Sequence, residues 1–222
     1  TCGARLTMNY MVPGGVMFDL HPNFQVKTKD FVRFFRSKFD EYDELVTNNI
    51  IFQERMKNVG RISAEDAVSF GCSGPVARAS GVSSDIRKLA PYEGYDQLNF
   101  TEALETAGDN YARYLVRMQE MRTSLSIIDQ LIDNIPEGDF QAKTKAVLKL
   151  PKGEYYSRVE TARGDFGVYI VSEGGTTPYR IKFRSPGFSN LSALDHIARG
   201  CKIGDLVAIM GSLDLVIPDI DR

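Results

Sequence analysis

The chain is poor in the residues that build redox and metal centres. Its 222 residues include three cysteines and two histidines. Cys2, Cys72 and Cys201 lie far apart, so no C-x-x-C pair exists to hold a zinc ribbon or an iron–sulfur cluster. An odd, scattered set does not look like a disulfide framework, and a reducing compartment is the simpler expectation. His21 and His196 are not at i, i+4 and give no helical metal pair. The patterns G-x-S-x-G and G-x-x-x-x-G-K-[ST] are absent, which disfavours a serine hydrolase and a P-loop nucleotidase. G-x-G-x-x-G is absent too, so a dinucleotide serving this chain is expected to bind elsewhere. No 18 apolar residues run together, so no segment is expected to cross a bilayer. Thr1-Cys2-Gly3-Ala4-Arg5 lacks the apolar region of a signal peptide, and a start at Thr rather than Met suggests a fragment. A net charge of −2 argues against a nucleic-acid or anionic-membrane binder, which would want a basic surface.

What is present is ordinary in bulk: 43% hydrophobic and 25% charged residues, enough length for a sizeable core. The local patterns say more. Pro13-Gly14-Gly15 and His21-Pro22 are turn signals. Phe31, Phe34, Phe35, Phe39, Tyr42 and Leu45 recur at three and four, which predicts an amphipathic helix over residues 28–47. A second helix is expected over 48–57. Ser63-Ala64-Glu65-Asp66 resembles a capping box opening a short helix that ends at Gly71. Residues 71–100 are broken by Gly and Pro yet dense in charge and aromatics, which predicts an ordered functional loop. Tyr111, Leu115, Met118, Met121, Leu125, Ile128 and Ile132 predict a long bundle helix over 102–134. Residues 138–152 read as a linker. Strands are expected over 154–160, 167–172 and 178–183, with Gly174-Gly175 as a hairpin turn. Helices follow over 190–198 and from Asp205 as N-cap. The predicted class is mainly α with a small C-terminal β-sheet (α+β): a helical portion to 137, a linker, and an α+β portion over 153–222 that packs back on it.

The residues alone leave the chemistry open. Asp214, Asp219 and Asp221 could serve as acid or base, or form a solvated acidic tail. Arg78, Asp85 and Arg87 could form a buried ion-pair network, or surface pairs that contribute little.

Several motifs, in order and spacing, carry a resemblance. They are Gly3-Ala4-Arg5 with Pro13-Gly14-Gly15-Val16, and Arg78-Ala79-Ser80-Gly81 with Asp85-Ile86-Arg87-Lys88, Pro91-Tyr92 and Tyr95-Asp96. Asp109, Arg113, Arg117, Glu120 and Met121-Arg122 follow, then Arg163-Gly164-Asp165-Phe166-Gly167, Ser172-Glu173-Gly174-Gly175 and Pro178-Tyr179-Arg180. Ser185-Pro186-Gly187-Phe188, Asp205, Val207-Ala208-Ile209 and Asp221-Arg222 complete the set. Together they resemble the C-terminal part of the 49 kDa (D-type) subunit family of NADH-quinone oxidoreductase, respiratory complex I, over essentially the whole chain. That family is related to the nickel–iron hydrogenase large subunit, so the resemblance implies a hydrogenase-like helical bundle lacking its N-terminal half. Hydrogenase large subunits end in D-P-C-x-x-C-x-x-H. Asp214 to Arg222 spans the same nine positions, with Val216 and Asp219 where the cysteine ligands would be and Arg222 where the histidine would be. Val216 supplies no donor, so no nickel–iron site and no hydrogen activation are expected.

The resemblance implies that Val216, Ile217 and Asp214 line a quinone pocket and that Arg78, Asp85, Arg87 and Asp205 form a buried charge or proton network. Arg5 and Thr7 would lie near a partner's iron–sulfur cluster. Thr7 stands where many members have histidine, and Val12 where an arginine is common before the P-G-G turn. A protonatable imidazole would raise the cluster potential, so its loss points to a low-potential acceptor such as menaquinone. NADH, FMN and iron–sulfur clusters would sit on partner subunits: the cluster-bearing small subunit and other peripheral-arm and membrane subunits. The expected place is the cytoplasmic side of a bacterial inner membrane, peripherally bound, with electron transfer coupled to ion translocation. A relative with another electron donor is the first alternative. A non-catalytic interaction scaffold, self-associating through exposed partner faces, is the second.

Overall fold

The computed structural model describes residues 9–145, 147 and 149–221. Arg5, Thr7 and Arg222 lie outside the described residues. The chain opens with a two-stranded hairpin, β1 (Met11–Val12) and β2 (Gly15–Val16), around the expected turn. Gly15 also bridges Gln141, which ties the hairpin to the start of the irregular 138–152 segment.

Two helices form the first core. The first, α1 (Phe24–Tyr42), starts earlier than the aromatic pattern suggested and passes into a π-turn over Asp43–Thr47. Its Val32 and Phe39 pack on Met118 and Leu125 of the long helix that spans Asn110–Leu131. Asn49 caps α2 (Ile50–Met56), accepting the amides of Ile51 and Phe52. Ser63 caps α3 (Ala64–Ser69), as its position predicted. The 71–100 segment is an ordered chain of short elements: α4 (Pro75–Arg78), α5 (Ile86–Leu89) and a 3-10 turn over Tyr95–Gln97.

The helix expected to begin near 102, α6 (Asn110–Leu131), begins eight residues later, with the Asp109 carboxylate accepting the Ala112 amide. Two contacts hold the preceding stretch out of the helix. The Glu102 carboxylate accepts the Ser84 and Asp85 amides. Gly108, at φ +67°, lies so close to the Ile62 carbonyl that a Cβ would come within 2.1 Å of it. Once formed, α6 is buried on more than one side. Met118 and Leu125 face α1, while Ala112 and Val116 meet Ala79 after α4.

The C-terminal part holds an antiparallel sheet in the order β3 (Gly153–Thr161), β4 (Gly164–Ser172), β5 (Arg180–Arg184). A tight turn at Ala162-Arg163 joins β3 to β4. Gly174-Gly175 sits inside a longer loop before β5, not in a two-residue hairpin turn. The turn at Arg163 docks on Gly74, where an added Cβ would lie 2.3 Å from the Arg163 carbonyl. Four helices follow: α7 (Pro186–Ser192), α8 (Leu194–Ala198), α9 (Ile203–Ser212) and α10 (Ile217–Ile220). Ile197, Ile209 and Leu213 share a core with Ile62, Val76 and Ala77, so residues 153–221 are continuous with the helical part. Asp205 is not the N-cap of α9. It lies one turn in and reaches back to accept the Lys202 amide at 3.2 Å. The class is thus α+β, mostly helical with a three-stranded sheet. Among the described residues, no helix is long and apolar enough to cross a membrane.

Arg113 binds these parts together. It is fully buried and donates to the carbonyls of Gly60 and Gly108, to Asn110 Oδ1 and to Ser212 Oγ. Burial lowers its pKa to about 10. Carbonyl and hydroxyl oxygens satisfy the cation here, which is how a buried guanidinium is tolerated without a carboxylate in contact.

Candidate functional site

A cavity of about 580 Å³ opens between α6, the β3–β4 turn and the α9–α10 turn. Each wall supplies charge. Arg78 comes from α4, Arg87 from α5, Arg117 and Glu120 from α6, Glu160 from β3 and Asp214 from the last turn. Tyr95, Tyr114, Met118 and Met121 supply aromatic and apolar surface. This mixture of apolar wall and convergent polar groups is typical of a ligand site, and the volume suits a small organic molecule.

Arg78 is the centre of the network, with a side chain only 2% exposed. Its guanidinium reaches Glu120 at 2.6 Å and Glu160 at 2.8 Å. Glu160 also accepts the Ile86 amide at 3.1 Å. Asp85 is fully buried and takes a two-toothed bond from Arg87, at 2.9 and 2.6 Å, while capping α5. Arg87 stacks over Phe100 at 5.0 Å. Burial would raise the Asp85 carboxyl, but Arg87 and then Arg78 hold it below its ordinary value. Burial would likewise lower Arg78, yet Glu120 and Glu160 outweigh it and hold the guanidinium above its ordinary value. The two glutamates share that one guanidinium. Burial therefore keeps both above the usual carboxylate range, against the pull of Arg78.

Asp214 closes the far side. It is a non-glycine residue at φ +55°, held in the turn after α9 by Arg163, whose Nε donates to its carbonyl at 3.0 Å. Arg163 Nε also lies 3.3 Å from the Asp214 carboxylate. Positive φ costs about 1 kcal/mol or more for such a residue and tends to persist where the surroundings over-determine it.

The structure brings together Arg78, Asp85, Arg87 and Asp214. It adds Arg117, Glu120 and Glu160, which sequence reasoning did not place in any site. Arg117 and Glu120 were visible only as one turn of the long helix, and Glu160 as a strand end. Asp205 lies elsewhere: its carboxylate pairs with the half-exposed Arg55 at 3.1 Å, so it belongs to the α9 cap and not to this network. Val216 is half-buried and Ile217 largely exposed, and neither lines the cavity that Asp214 borders. Among the described residues no group of His, Cys, Asp or Glu could hold a metal ion. His196 sits instead beside Asp66 and Phe70.

The sequence matches the family described as the respiratory-chain NADH dehydrogenase 49 kDa subunit, over residues 1–150 and 143–222. It is 54% identical over 222 residues to an NADH-quinone oxidoreductase C/D subunit of Bacteroides thetaiotaomicron, covering all of this chain and 42% of that protein. It is 47% identical over 221 residues to an NADH-quinone oxidoreductase D 2 subunit of Solibacter usitatus, covering 60% of it. It is 41% identical over 244 residues to an NAD(P)H-quinone oxidoreductase H 1 subunit of Gloeobacter violaceus, covering 62% of it. The chain thus spans less than two thirds of the length of these relatives.

Proposed function

Because the chain belongs to the family of the respiratory-chain NADH dehydrogenase 49 kDa subunit, we propose that it forms one wall of the quinone pocket of an NADH:quinone oxidoreductase. In this reading electrons from NADH reach the pocket through FMN and iron–sulfur clusters on partner subunits, and the acceptor is a low-potential quinone such as menaquinone. Quinone reduction is coupled to ion translocation in membrane subunits. The complex sits peripherally on the cytoplasmic side of a bacterial inner membrane. Partner subunits cover the apolar faces that this chain exposes, among them Ile203 and Val207 on α9 and Ile50 and Ile51 on α2.

The observation that carries the reading is the terminal turn. Asp214 is locked in an unusual backbone conformation on the far side of a cavity whose other walls combine charged groups with aromatic and apolar surface. Val216, half-buried, and Ile217, exposed, follow within three residues, outside the cavity lining itself. In the assembled oxidoreductase Val216→Trp is expected to abolish NADH:quinone activity while NADH:ferricyanide activity, which needs only the electron-input module, is retained. Unchanged quinone reduction would count against the reading.

Thr7 lies outside the described residues and enters here only through the sequence. A redox titration of the complex showing a high, strongly pH-dependent potential for the cluster nearest the quinone would exclude the low-potential acceptor.

A further inference from the structure

Of the carboxylates that line the cavity, Asp214 has its own guanidinium in Arg163, and Asp85, buried behind the wall, has Arg87. Glu120 and Glu160 compete for Arg78. Meanwhile Arg117, one turn before Glu120 on the same face of α6, has no carboxylate within 4.0 Å among the described residues. Its Nη1 donates to the Arg113 carbonyl at 3.1 Å. A guanidinium carries five N–H donors, so most of its capacity is uncommitted. Glu120 is half-committed in the same sense. Arg78 occupies its Oε1, and no described residue donates to Oε2. A free donor and a free carboxyl oxygen therefore stand side by side on one wall.

We infer that Arg117 and Glu120 form a paired subsite for the ring oxygens of a quinone, Arg117 donating to one oxygen and Glu120 delivering a proton to it as the ring is reduced. The inference rests on the reading that this cavity serves a quinone. The ring takes two electrons from reduced iron–sulfur clusters on the partner. The O–H bond of the Glu120 carboxylic acid breaks and an O–H bond forms at the ring oxygen. The carboxylate left behind stays on Arg78. The second proton comes from solvent, and the product is the hydroquinone. Tyr95 and Tyr114 give the ring aromatic surfaces to lie against. Arg78 acts through Glu120 and is a positioning residue.

Burial pushes the Glu120 carboxyl up, and the guanidinium groups of Arg78, Arg87 and Arg117 pull it down without overcoming burial. Facing it are Arg78 from α4, Arg87 from α5, Arg117 from its own helix, Glu160 from β3, Tyr95 from the 3-10 turn and Asp214 from the last turn. The two glutamates share one guanidinium, so each is held less firmly as a carboxylate than it would be with a guanidinium of its own, and Glu120 takes up a proton more readily than an exposed glutamate.

The test uses the assembled oxidoreductase with a soluble quinone analogue, and NADH:ferricyanide activity as the measure of intact assembly. Arg117→Met is expected to raise KM for the quinone roughly tenfold or more, the loss of one charge-assisted hydrogen bond, with little change in kcat. Arg117→Lys should recover part of it. Glu120→Gln is expected to lower kcat, to remove the corresponding limb of its pH profile, and to delete a protonated-carboxyl band from the redox difference infrared spectrum. If both variants match the wild type while Val216→Trp is inactive toward quinone, the subsite is refuted and the pocket reading stands. If Val216→Trp is also fully active, the pocket reading itself fails.

Discussion

Removing Arg78 is the sharpest structural perturbation this fold offers. Arg78→Met keeps an unbranched stem at this buried position and deletes the charge. Glu160, 4% exposed, and Glu120, 19% exposed, then face each other with no shared cation. Removing one partner of a buried ion pair costs ~3–5 kcal/mol, because the other charge stays buried without compensation. One substitution here removes the cation that two glutamates share, so the upper part of that range is approached as the pH is raised and both ionise. The sign with pH follows from the folded carboxyls. Both lie above their ordinary value, so their contribution to stability is present at low pH and is lost as pH rises through the raised values. Without Arg78 these values rise further. The penalty therefore shrinks towards pH 5, where the glutamates take up protons more readily, and grows towards pH 8. Urea unfolding followed by far-ultraviolet circular dichroism would measure this. A domain of this size has a slope of ~2–3 kcal/mol per molar urea, so the midpoint should fall by ~1–2 M at pH 8 and by clearly less at pH 5. A loss under ~1 kcal/mol at pH 8, or the same loss at both pH values, would refute the idea that Arg78 is what makes the buried glutamates tolerable.

Asp109→Ala removes the cap of α6 and the acceptor of the Asn58 amide at 2.7 Å, and should cost ~1–2 kcal/mol in the same unfolding assay. Gly108→Ala should cost ~2 kcal/mol or more, since it adds strained φ to a clash with the Ile62 carbonyl, and circular dichroism melting would show it. Cys72 is buried and its thiol is pushed up to about 11 by burial, so at pH 8 the half-buried Cys201 should react before Cys72 with a disulfide reagent, peptide mapping giving the order of the two. The isolated chain should show concentration-dependent light scattering through its exposed apolar faces; a strictly monomeric state over a wide range would contradict this.

Much of the fold was legible where a local rule had one solution. The α6 stripe, the Ser63 cap and the Gly-bounded strands were visible because period and capping chemistry act over a few residues. The misses came from long-range contacts. Residues 102–109 carry helix-forming side chains, yet Glu102 is used to hold Ser84 and Asp85, and Gly108 is needed against Ile62. Asp favours the N-cap position, but Asp205 lies one turn inside the helix and accepts the Lys202 amide instead of the first-turn amides that an N-cap would serve. At the site, Arg78, Asp85 and Arg87 drew attention as a dense charge cluster in a loop. Their partners could not be found that way. Glu120 and Glu160 meet Arg78 across 42 and 82 residues of chain, and no periodicity announces a pair of that kind. Val216 and Ile217 were singled out by resemblance, and the turn that carries them borders the cavity only through Asp214.

The central claim, that this chain walls a quinone pocket, is tested most directly by photolabelling the assembled oxidoreductase with an azido-quinone and mapping the modified peptides. The expected result is label on the 214–217 segment or on the α6 turn between Arg117 and Met121, suppressed by excess unlabelled quinone. Competable label confined to other subunits, with none on this chain, would contradict it.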